Sequence, residues 1–136
     1  MTPNLIILIF LLVLFFTLIL GLVYLTPIVF AKYRAKSFGL EIDFRNAKIL
    51  AKDKCLQNDF FIGLREIWDI YPFDLRKLTH QYLAVGDLQN IKNGLIEFKN
   101  RNKEPNEWFL ITFDLAKRDL KEEIVKAEKN NWKFEL

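Results

Sequence analysis

From Leu5 to Ala31 the chain reads LIILIFLLVLFFTLILGLVYLTPIVFA, with no charged position, and from Lys32 onward apolar and charged residues interleave. At 1.5 Å per residue the first run makes about 40 Å of helix against roughly 30 Å of bilayer hydrocarbon, so it predicts one spanning helix with room for tilt. A cleaved signal peptide would carry a basic start and a shorter apolar stretch, whereas Met1-Thr2-Pro3-Asn4 has no basic side chain; a permanent anchor is expected. Pro27 removes a backbone donor inside the run. Three paths follow: a span ending near Tyr24, one kinked helix continuing toward Ser37, or a re-entrant hairpin breaking at Gly21 or Pro27. The hairpin's arms would be near ten residues each, which is short for spanning.

Beyond Gly39 the pattern predicts a small helical domain. Leu40, Ile42 and Phe44 alternate with Glu41 and Asp43, which permits a short strand without requiring one. Arg45, Lys48 and Lys52 follow at helical spacing and share a face. Asn58-Asp59 suits the start of a helix FFIGLREIWDIY, whose Phe60, Ile67, Trp68 and Tyr71 should enter the core. Pro72 suits the first turn of a further helix that runs to Gly86. Gly86 then stops that helix and Asp87 caps the next, in which Leu88, Ile91, Leu95 and Phe98 form an amphipathic stripe. After the polar loop from Asn100 to Asn106, Pro105 opens a last helix with the stripe Phe109, Phe113, Ala116, Leu120, Ile124 and Ala127. On that helix Asp114 and Arg118 are spaced to attract, and Asp119 and Glu123 to repel.

Composition sharpens this division. Hydrophobic residues reach 51 % and charged ones 27 % of 136 residues, and the two coexist because no Lys, Arg, Asp or Glu precedes Lys32. The fold class expected is therefore mainly α: residues 1–37 an anchor with its basic flank, residues 38–136 one cytoplasmic helical domain. Lys32, Arg34 and Lys36 follow the apolar run at once, so the positive-inside rule puts the N-terminus outside and the domain in the cytoplasm. Tyr24, Phe30 and Tyr33 suit the inner interface. Between Lys32 and Lys54 seven Lys and Arg face three acids. Lys32, Arg34, Lys36, Arg45, Lys48 and Lys52 are thus expected at the membrane surface, each drawn to anionic headgroups by about 1 kcal/mol. A net charge of +3 does not argue for nucleic acid as a partner.

Material for catalysis is scarce. The chain has one Ser (Ser37), one His (His80) and one Cys (Cys55), too few for a nucleophile, base and orienter, and without the ligand spacing of a zinc site. Gly21, Gly39, Gly63, Gly86 and Gly94 never cluster into a phosphate-binding loop. Of Trp68, Trp108 and Trp132 two lie in apolar surroundings, so a place in the core is expected rather than stacking on bases. The expectation is no catalytic, metal or cofactor site, and no small-molecule substrate.

Two segments, HQYLAVGDLQNIKNGLIEFK (80–99) and FDLAKRDLKEEI (113–124), resemble the N-terminal region of the bacterial flotillin-like protein A family. The matching residues are Tyr82, Leu83, Ala84 and Gly86, then Asp114, Leu115, Ala116, Arg118 and Asp119. Gln81, Val85, Asp87 and Lys117 depart from the family pattern, Lys117 standing where the family has a glycine. The resemblance implies a membrane scaffold that self-associates at the cytoplasmic face. The family's prohibitin-homology domain and coiled coil are not contained in these residues, so only the membrane-proximal unit is implied. The alternative expectation is an accessory subunit of a larger membrane complex.

Overall fold

The computed structural model describes residues 2–53 and 56–133, so Cys55 lies outside the described residues. Among these the chain is all-helical, seven helices with no strand. The first, α1 (Pro3–Ser37), runs unbroken past Pro27 and is long and apolar enough to cross a membrane. Thr2 opens it by accepting the Leu5 N–H. Pro27 deprives the Val23 carbonyl of its usual donor. The neighbouring Thr26 hydroxyl donates instead to the Leu22 carbonyl at 2.6 Å, one residue away from the carbonyl that proline frees.

Side chains from Leu5 to Leu25 are exposed almost throughout, a length of about 31 Å. Below that point one face of α1 becomes core. Ile28, Ala31 and Ala35 are buried in the same cluster as the domain's own apolar residues, so the 37/38 division cuts through the core. The helix ends at Ser37, and two residues on Gly39, with a φ of +81°, lets the Leu40 N–H reach back to the Ala35 carbonyl at 3.0 Å.

Residues 40–43 form no strand; the expected alternation is a connector in which Leu40 and Ile42 are buried. Asp43 then caps α2 (Phe44–Lys52) by accepting the Asn46 N–H at 2.8 Å. This helix folds back along α1, with Ala47 and Leu50 buried. Small side chains at Ala31, Ala35 and Ala47 let the two backbones approach closely.

In α3 (Asn58–Ile70) the expected caps are spent elsewhere. Asn58 accepts from Arg34, and Asp59 accepts from the Tyr82 hydroxyl at 2.6 Å. Phe60 and Ile67 are buried, while Trp68 and Tyr71 are only half-buried. Trp68 Nε1 donates to the Phe73 carbonyl and so fixes the connection containing Pro72. Pro72 does not open α4 (Leu75–Val85); Asp74 caps it, by accepting the Arg76 N–H.

α5 (Gln89–Asn100) is the central helix, packed on α3, α6 and α7, with Ile91, Leu95 and Phe98 buried. Gly94 sits where α5 meets α6 and α7 most closely. The single last helix expected from the stripe is two: α6 (Glu107–Leu115) and α7 (Leu120–Lys129). Asn106 caps α6, so Pro105 precedes the helix rather than opening it. Lys117 adopts φ +58°, the Arg118 N–H closes onto the Phe113 carbonyl, and Asp119 caps α7. Ala116, expected in the stripe, is exposed at this break.

Candidate membrane-interface site

The junction between α1 and α2 gathers most of the charge assigned to the membrane surface. Tyr24, Ile28, Ala31 and Ala35 recur at spacings of four, three and four, so they form one seam of α1, the seam that α2 covers. Lys48 Nζ accordingly lies 5.7 Å from the centre of the Tyr24 ring. Arg45, Lys48 and Lys52 are exposed on α2, and Lys32 and Lys36 are exposed on α1. Lys48 thereby stands beside the end of the exposed apolar stretch, with Lys52 one turn further along the same face of α2. A sequence reading could place Arg45, Lys48 and Lys52 on one helix face, but not that face beside Tyr24, because it cannot show that α2 folds back.

Arg34 behaves differently from the other five. Its Nη2 donates to Asn58 Oδ1 at 3.2 Å and its guanidinium lies over the Phe61 ring at 4.5 Å, leaving it half-buried. It is a tie between α1 and α3. Phe38 stacks on the same Phe61 ring at 5.4 Å and strengthens the joint.

The three aromatics expected at the interface do not share a face. Tyr24 belongs to the α2 seam, Tyr33 lies opposite it by helical phase and is 72 % exposed, and Phe30, 64 % exposed, borders a groove with Arg34, Leu50 and Phe61.

At the opposite side, Gly86 takes φ +101° and its N–H donates to the Tyr82 carbonyl. Asp87 accepts the Gln89 N–H at 3.1 Å but stands one residue before the helix boundary, which is the buried Leu88. The turn lies next to a buried polar cluster that the sequence reading missed. Asp114, expected to pair with Arg118, is instead buried and accepts from Gln81 Nε2 and, at 2.8 Å, from Asn90 Nδ2. Asn90 also donates to the Arg118 carbonyl and accepts the Leu120 N–H at 3.1 Å. One amide thereby satisfies the backbone groups freed where α6 breaks from α7. Arg118 turns to Glu123, 4.0 Å away.

His80 is exposed on α4, and the Ser37 hydroxyl donates to the Arg34 carbonyl at 2.6 Å. A groove of about 710 Å³ runs between α2 and the α3–α4 connection, lined by Asp43, Arg45, Trp68, Asp74 and Arg76. Both of its carboxylates are engaged as helix caps. Among the described residues no three His, Cys, Asp or Glu side chains converge as metal ligands. No protein-family model, curated protein or solved structure matches the chain.

Proposed function

We propose that this protein is a non-enzymatic component of a bacterial cytoplasmic membrane, anchored by α1 with its helical domain inside the cell, which associates with itself to organise that membrane surface. The observation carrying this reading is the unbroken passage of α1 from its exposed apolar length into the domain core at Ile28, Ala31 and Ala35. A domain joined by a flexible linker would face every direction. One fused to its anchor presents the same surface from every copy, as lateral assembly in a plane requires. Basic α2 adds attraction to anionic headgroups on the same side. The flotillin-like pattern around Tyr82–Gly86 and Asp114–Asp119 supports the scaffold reading from the sequence.

The test is the size of the full-length protein expressed alone. In-membrane crosslinking, followed by mass determination after mild detergent extraction, should give homo-oligomers. A stable monomer that is captured only with an unrelated membrane protein would replace the scaffold with an accessory subunit.

A further inference from the structure

We infer that α1 lies strongly tilted in the bilayer, with the face bearing Val29, Phe30 and Tyr33 turned down into lipid and the α2 side turned up toward the cytoplasm. The inference rests on the membrane-anchor reading above and adds an interaction surface to it. Val29, Phe30 and Tyr33 are 63 %, 64 % and 72 % exposed; by helical phase Val29 and Tyr33 lie opposite the Ile28–Ala31–Ala35 seam, and Phe30 lies between them and the groove it borders with Arg34 and Phe61. Were the helix upright with Tyr24 at the hydrocarbon boundary, Tyr33 would stand about 13 Å above that boundary. The headgroup layer is only about 5–7 Å deep on each side, so an upright helix would leave three large apolar side chains in water.

Raising the boundary to Phe30 on an upright helix fails for another reason. Lys48 lies beside Tyr24, and it would then be submerged about 9 Å in hydrocarbon. Tilt satisfies both faces. The exposed apolar length from Leu5 to Phe30 is about 39 Å, which fits roughly 30 Å of hydrocarbon at a tilt near 40°, the upper end of the observed range. A side chain on the lower face gains a further few ångströms of depth from the helix radius of about 5–6 Å. The occupant of the Val29–Phe30–Tyr33 face is therefore lipid, continuous with the lipid along the rest of the helix. The phenol of Tyr33 and the long stems of Lys32 and Lys36 suit a headgroup depth.

Nitroxide labels read this directly in full-length protein reconstituted into vesicles of mixed anionic and zwitterionic phospholipid. In a Cys55→Ser background, Phe30→Cys, Tyr33→Cys, Leu18→Cys, Lys48→Cys and His80→Cys each carry one label. Collision rates with oxygen and with a water-soluble nickel chelate are then compared, after circular dichroism shows that helicity is retained. The expected result is oxygen-dominated collision at 18 and 30, an intermediate ratio at 33, and chelate-dominated collision at 48 and 80. Chelate access at 30 and 33 equal to that at 80, with 18 still in lipid, would overturn the tilt and leave the anchor standing. Dipolar broadening at 30 or 33 that disappears on dilution with unlabelled protein would overturn it too, in favour of a second copy on that face. Chelate access at 18 would remove the anchor reading itself, and the tilt with it.

Discussion

At Gly94 a Cβ would stand 2.5 Å from Leu110 Cδ2 and 3.2 Å from Leu120 Cβ, so even alanine displaces the fully buried Leu110 side chain and presses on Leu120. Overpacking of this kind costs about 1–3 kcal/mol and outweighs the ~1 kcal/mol that replacing a helical glycine returns. Gly94→Ala should lower the thermal midpoint of the detergent-solubilised protein. Gly86 differs in cause: a Cβ there meets open space, but φ is +101°, and alanine should cost about 1 kcal/mol through the backbone alone. At Asn90 one side chain serves Asp114, the Arg118 carbonyl and the Leu120 N–H. Asn90→Ala should cost about 2–3 kcal/mol by leaving those groups unsatisfied, more than a surface Asn→Ala change in the same assay. Tyr82 donates to Asp59, and that hydrogen bond, with burial and the carboxylate's charge behind it, raises the phenol above its ordinary 10.0. Its contribution is whole below pH 10 and is lost as pH rises through the higher folded value. Tyr82→Phe should therefore lower stability at neutral pH and shrink the alkaline loss, as read from midpoints between pH 8 and 11.

Periodicity placed α5 well, because Ile91, Leu95 and Phe98 are core on a helix with nothing to interrupt it. The same signal misled for α6 and α7. The turn from Ala116 to Asp119 restores the phase of the stripe, so Leu120 and Ile124 are buried just as a continuous helix would bury them. A stripe reports which side chains are buried, and the backbone between two turns of it can leave the helix unnoticed. The break is made at Lys117, whose φ is +58°. Lys117→Gly should stabilise the protein by about 0.5–1 kcal/mol by removing the cost of a left-handed residue with a side chain. A fall in midpoint instead would mean that the Lys117 side chain contributes more than its backbone costs. Asp114 was illegible for a related reason: helical spacing offered Arg118 as its partner, while Gln81 and Asn90 come from helices that only the tertiary fold brings near.

For the whole molecule, the long apolar helix α1 was legible from apolar length alone, and the helical class from spacing. The fold-back of α2 was not, since nothing in RNAKILAK states which neighbour its apolar side will meet. The charge asymmetry around α1 gives a further expectation about topology. In a Cys55→Ser background, Asn130→Cys should resist an impermeant thiol reagent in intact cells and react once the membrane is opened. Reaction before opening would reverse the assigned orientation.

The sharing of α1 between its exposed apolar length and the domain core also sets an order of events during synthesis. Ala47 and Leu50 of α2 pack against a surface that Ile28, Ala31 and Ala35 supply. A ribosome makes those three residues before α2, and on the membrane-anchor reading proposed above the segment carrying them first leaves the insertion machinery and settles in lipid. Until it does, the later helices lack one wall of their interior and expose the surface meant to meet it. A fragment beginning at residue 38 would stay in that unfinished condition, binding chaperones and resisting crystallisation. One beginning at 26 would carry its own wall.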